Sequence, residues 1–146
     1  MKKFQVKFLV LAVMVWLGAV SVSVGSTRGE KVPIRKGIPF WNAIGTTEDP
    51  KPWGLRGRTW LEIWHYYSGQ AMEHCVVDGC LNLATIGGHV VFDENQILQG
   101  CIPQQGQSDI YILPICNYHN SAAANCMGMR TEININAVRL INYRME

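Results

Sequence analysis

The chain has 146 residues, with 13 Lys and Arg against 11 Asp and Glu and a formal net charge of +2. Three of those lysines, Lys2, Lys3 and Lys7, lie in the first seven residues; without them ten basic residues face eleven acidic ones. A near-neutral remainder excludes the broad electrostatic footprint of a nucleic-acid binder and the basic amphipathic face of a membrane-disrupting peptide.

The opening residues read as an export signal. The three lysines precede the apolar stretch Phe8 to Val24, and small residues follow at Ser21, Ser23, Gly25 and Ser26, where a signal peptidase would cut. The stretch reaches only the lower edge of membrane-spanning length, roughly 17 residues, and its far end softens into Ser and Gly. Residues 1–25 are therefore expected to be removed. The product would be a secreted, extracellular protein of about 120 residues with no membrane attachment, which is one domain's worth.

Residues 26–58 mix Gly, Pro and charge without a sustained period, as in "TRGEKVPIRKGIPFWNAIGTTEDPKPWGLRGR". They read as an extended arm that lies over a core or stays mobile. Phe40, Trp41, Ile44 and Trp53 argue that parts of it dock; the segment around Phe40, Trp41 and Trp53 is also the expected contact surface for an extracellular partner. Arg28, Lys31, Arg35 and Lys36 here, and Arg130, Arg139 and Arg144 near the other end, read as solvated surface.

A helix is expected over residues 60–68. Thr59 and Glu62 have the S/T-x-x-E spacing of a capping box, in which each side chain satisfies a free backbone N–H of the other. Trp60, Ile63, Trp64 and Tyr67 follow at helical spacing and form a core stripe, His65 falls off it, and Gly69 supplies the stop. Short strands are expected at "HVVF" (89–92), "IYILPI" (110–115), "EINI" (132–135) and "AVRLINY" (137–143), with Gly87-Gly88 as a turn and 100–109 as a polar loop. "SAAAN" (121–125) reads as a short helix after His119. The fold class is therefore α+β: short β-hairpins with one or two helices over 59–146.

Five cysteines fall in this region: Cys75, Cys80, Cys101, Cys116 and Cys126. An odd number leaves one thiol over in a pure disulfide framework. A zinc reading divides them differently. Cys75-x4-Cys80 forms a knuckle with two thiolates, and Cys116-x2-His119 adds two ligands at the start of a helix, giving the closed Cys3His set of a structural zinc site. Cys101 and Cys126 then remain as a disulfide pair. In an oxidising compartment the alternative stands that Cys75 and Cys80 pair with each other, or with Cys116 and Cys126. His74 reads as exposed or as a group orienting a neighbouring thiolate.

The stretches "CVVDGCLNLATIGGHVVF" and "YILPICNYHN" resemble the zinc-stapled, treble-clef-like branch of the HNH (ββα-metal) nuclease fold. "TWLEIW" (59–64), "GGHV" (87–90) and "YILPICNYHN" (111–120) are similar to segments of a group of small uncharacterised proteins. The resemblance covers roughly residues 57–122. It implies a general-base role for His89, and puts Gly88 and Asn120 where the nuclease family has metal-binding side chains. Gly88 has no ligand to offer and Asn120 offers a neutral carbonyl, so a catalytic divalent cation is poorly provided for. The expectation is a non-enzymatic binding or structural module held by zinc. The alternatives are a metal-dependent nuclease or toxin using His89 and Asn120, with Asp109 near the cation, and a secreted protein held by disulfides alone.

Overall fold

The computed structural model describes residues 28–43, 51–52, 54–98, 102–103, 109–121 and 128–141. The expected export segment, Ile44, Trp53, Cys101 and Cys126, and all but Ser121 of the helix expected at 121–125, lie outside the described residues.

The helix forms as its sequence dictates. Helix α1 is Trp60–Ser68, with Thr59 accepting from the Glu62 backbone and Glu62 accepting from the Thr59 backbone at 2.6 Å. Hydrogen bonds from Thr59 hold the Glu62 carboxyl below the usual carboxylate range. Gly69 closes the C-terminus in a left-handed conformation. The buried face is Trp60, Ile63, Trp64 and Ser68, an i, i+3, i+4, i+8 stripe. The indole of Trp64 is satisfied in the core by the Asn136 carbonyl at 2.8 Å, so its ring is buried without stranding its N–H. His65, off the stripe as expected, is half-buried with its Nδ1 2.8 Å from the Gln70 carbonyl oxygen.

The strands make one antiparallel sheet of six: β1 (Arg28–Ile34), β2 (Pro39–Asn42), β3 (Ile86–Val91), β6 (Tyr111–Ile115), β7 (Met129–Arg130) and β8 (Ile135–Ile141), in the order β1-β8-β6-β3-β2-β7. A two-stranded ribbon, β4 (Ile97–Leu98) and β5 (Ile102–Pro103), lies in the excursion between β3 and β6. Helix α2 is the single turn Asn117–Asn120. The fold is α+β. Among the described residues no helix is long and apolar enough to cross a membrane.

Three expectations change. The segment read as an arm is built into the sheet: β1 pairs with β8 along its whole length and β2 with β3 and β7. Phe40 is fully buried rather than offered to a partner, and Trp41 is half-buried. Its lack of a clean polar–apolar alternation follows from its place, since β1 is an edge strand carrying Lys31 and Pro33, residues that discourage further pairing. Second, Gly87 and Gly88 are not a turn but the body of β3, because α1 crosses the sheet there. A Cβ on Gly87 would strike the Trp60 carbonyl and the Leu61 nitrogen, backbone atoms that cannot swing aside. Third, "EINI" does not form its own strand; residues 132–133 bend, Asn134 accepts from the Lys36 backbone, and the strand begins at Ile135.

The core between α1 and the sheet includes Ile63, Trp64, Ile112 and Val138, all fully buried. The C-terminal half of α1 is tied to β8 at Asn136: the Trp64 indole N–H donates to the Asn136 carbonyl, and the Asn136 backbone N–H and side-chain amide donate to Gln70 Oε1 and the Ser68 carbonyl. Gly87→Ala is expected to cost about 1–3 kcal/mol, the usual penalty of overpacking. Urea unfolding should show a lowered midpoint with an unchanged slope; an unaltered midpoint would mean that α1 does not sit this close to β3.

Candidate metal centre

Two separate pieces of chain deliver the cluster. The first is the segment Glu73–Cys80, which is stitched in place by backbone hydrogen bonds: Cys75 N–H to Asn82 O, Val76 N–H to Pro114 O and Asp78 N–H to Arg130 O, at 2.8–3.0 Å. Bridges pair His74 with Leu83 and Val77 with Thr131. The knuckle then turns: Cys80 N–H donates to Val77 O, and Gly79 takes φ +73°, a conformation that a side chain would strain. The second piece is the end of β6. Cys116 caps α2 from its N-terminal side, and Asn120 N–H donates back to the Cys116 carbonyl, so one turn of helix presents His119 beside Cys116.

The ligand atoms of Cys75, Cys80, Cys116 and His119 all lie within 4.8 Å of one another. His119 Nδ1 is 3.2 Å from Cys116 Sγ and 3.4 Å from Cys75 Sγ; Cys80 and Cys116 Sγ are 3.9 Å apart. All three cysteines are free thiols, at separations far beyond the roughly 2.05 Å of a disulfide bond. This set could hold a metal ion. It brings together all four expected ligands.

Burial and hydrogen bonding shift Cys75, Cys116 and His119 from their ordinary values. Burial pushes the Cys75 thiol up to about 12, against backbone N–H groups of Val77 and Cys116 that favour the thiolate. Burial raises Cys116 as well, but the His119 backbone N–H and the Asn82 side chain outweigh it and carry its value below the ordinary one. Asn82 Nδ2 lies 3.8 Å from Cys116 Sγ. Burial also lowers His119, favouring the neutral ring that ligates. Asn82 was not singled out in the sequence: a lone asparagine after a knuckle has no spacing signal, and only the fold turns it toward the sulfur. His74 is exposed and held by its bridge to Leu83.

His89 and Asn120 do not meet as a catalytic pair would. Gly87 faces α1, so by strand alternation His89 does too; its ring lies edge-on to Trp60 with centroids 4.3 Å apart, and it is 3% exposed. Gly88 faces the other way, where a Cβ would come within 3.2 Å of Asn120 Oδ1. Asn120 belongs to the metal side of the sheet, and its carbonyl accepts from the buried Asn42 side chain at 3.1 Å. Asp109, the third residue of the nuclease alternative, is exposed two residues before β6 and lies 3.9 Å from the Arg139 guanidinium. Burial, helped by Lys51, pulls His89 down to about 3. Comparisons with protein-family models, with curated proteins and with solved structures found no match for this chain.

The His89 value has a pH consequence. The folded ring stays neutral to about pH 3, whereas in the unfolded chain it protonates near 6.5, so the unfolded state gains protons first on acidification. Stability is complete above pH 6.5 and falls as pH drops toward 3. Between pH 6 and 4 the slope attributable to this group is about 1.4 kcal/mol per pH unit. Measuring unfolding free energy against pH for the parent and His89→Phe should show the variant's curve flatter by that amount; parallel curves would contradict a buried neutral ring.

Proposed function

We propose that the chain is a small secreted binding or structural module, not an enzyme, whose domain is stapled by one zinc ion at Cys75, Cys80, Cys116 and His119. The observation that carries the zinc assignment is the spacing of the donors. A tetrahedral ion with Zn–S of about 2.3 Å and Zn–N of about 2.0 Å separates two sulfurs by about 3.8 Å and a sulfur from a nitrogen by about 3.5 Å. The sulfur pair at 3.9 Å and the Cys75 Sγ–His119 Nδ1 distance of 3.4 Å lie close to those edges, and the Cys116 Sγ–His119 Nδ1 distance of 3.2 Å is about 0.3 Å shorter. Hard cations such as Mg²⁺ or Ca²⁺ take oxygen donors, and three thiolates with an imidazole select a softer ion.

Four protein ligands fill every tetrahedral position, which is the composition of a structural rather than a catalytic zinc site. The order of parts supports the treble-clef-like, HNH-related reading: a knuckle at 75–80, the antiparallel pair β3 and β6, then a helix start carrying the second ligand pair. The geometry speaks against nuclease activity, because His89 and Asn120, the two residues that would do the chemistry, lie on opposite sides of β3. Secretion rests on the basic and apolar opening of the sequence, and the recognised partner would be extracellular.

Native mass spectrometry of protein purified under reducing conditions should show one zinc per chain, lost on acid denaturation. Cys116→Ala should abolish zinc binding and lower the melting temperature of the metal-loaded protein by 10 °C or more, roughly the shift that a loss of 2 kcal/mol or more produces in a domain of this size. A metal-free native mass together with an unchanged melting temperature on chelation would remove the zinc staple and leave a disulfide or purely packed domain.

A further inference from the structure

We propose that Cys80 and Cys116 form a peroxide-sensitive pair: a hydroperoxide joins their sulfurs as a disulfide and expels the metal ion. The cluster then staples the domain in either of two mutually exclusive ways. For its starting state this rests on the zinc reading above.

The three sulfurs are not equivalent. Cys75 is 0% exposed and takes hydrogen bonds from two backbone N–H groups, and Cys116 is 3% exposed at the end of a buried strand. Cys80 is half-buried and stands between Gly79 and Leu81, both exposed, the latter 90% so. A small oxidant therefore reaches Cys80 first. Its sulfur is already 3.9 Å from that of Cys116 and must move about 2 Å to bond with it. Cys80 sits on a solvent-facing turn whose preceding residue is a glycine, so this displacement leaves the core undisturbed, whereas Cys75 is held by its backbone N–H to the Asn82 carbonyl and Cys116, at the start of α2, by the N–H of Asn120.

The chemistry balances with the hydroperoxide as oxidant. The Cys80 thiolate attacks the terminal oxygen, the O–O bond breaks, and the alcohol leaves with a proton from solvent; Cys80 is oxidised to the sulfenic acid. The Cys116 thiolate then attacks that sulfur, the S–S bond forms, and hydroxide leaves as water after taking a second proton. Two sulfurs have given up two electrons and the peroxide has accepted them. Cys75 and His119 alone are too few to retain the ion.

Connectivity distinguishes this pair from the others. A Cys75–Cys80 bond closes only the knuckle on itself and cuts its link to α2. A Cys80–Cys116 bond spans 36 positions and reproduces the tie the ion made, so the oxidised domain stays folded without metal.

The test titrates the zinc-loaded full chain with hydrogen peroxide, reading zinc release with a chromogenic chelator and mapping disulfides in a non-reducing digest. One zinc should leave per chain, in step with a linked peptide containing Cys80 and Cys116, and far-ultraviolet circular dichroism should persist. Dithiothreitol with added zinc should restore the starting state. Cys80→Ser should leave Cys75 and Cys116 reduced at the dose that oxidises the parent. A Cys75–Cys80 or Cys75–Cys116 link, a sulfinic acid at Cys80, or zinc retained through a tenfold excess of peroxide each overturns the proposal. Should the reduced chain carry no zinc, the zinc reading fails by itself; the peptide map of the metal-free chain still decides the pairing, and any bond other than Cys80–Cys116 removes that too.

Discussion

Four donor atoms from two distant pieces of chain meet in a half-buried corner, and the rest of the domain is arranged so that they can. Without a cation the corner is unfavourable. Burial drives Cys75 toward the neutral thiol, and three sulfurs with an imbalanced set of N–H donors have little reason to crowd together. A divalent ion reverses that logic by deprotonating its thiol ligands outright. Structural zinc contributes on the order of 10–16 kcal/mol in small metal-dependent domains, which matches the whole stability of a typical domain, about 5–15 kcal/mol. An ion bound here with that strength would decide whether the knuckle and α2 stay docked.

Strand β3 divides the molecule into a packing side and a metal side. On one face Gly87 admits the backbone of α1 and His89 packs against Trp60; on the other Gly88 admits Ile115 and the Asn120 side chain. Two adjacent glycines thus allow close approach from both directions at one point of the sheet. His89 belongs to the hydrophobic half and stays neutral, while the uncharged Asn82 side chain lies against Cys116 Sγ and the Asn42 side chain donates to the Asn120 carbonyl at the α2 turn.

Legibility followed the range of the interactions. Helix α1 could be read because its capping box, stripe and terminal glycine are all local. The four ligands could be read because ligand spacing within each half is local too, although nothing in the sequence brings 75 and 116 together. What failed was nonlocal. β1 is a strand because β8 lies beside it, and its own residues, with Gly29, Pro33 and three charges, give no strand signal. Gly87 and Gly88 are punctuation by local rules, and only the crossing of α1 explains why a strand interior needs them. His89 and Asn120 are partners by motif order, but alternation along β3 turns His89 toward α1 while Asn120, on α2, lies across the strand beside Gly88.

X-ray absorption at the zinc edge of the reduced protein addresses the central claim most directly, because it reports the donor set rather than the presence of metal. The account predicts a four-coordinate ion with three sulfurs at about 2.3 Å and one nitrogen at about 2.0 Å. A shell dominated by oxygen or nitrogen, or one with fewer than three sulfurs, would contradict it.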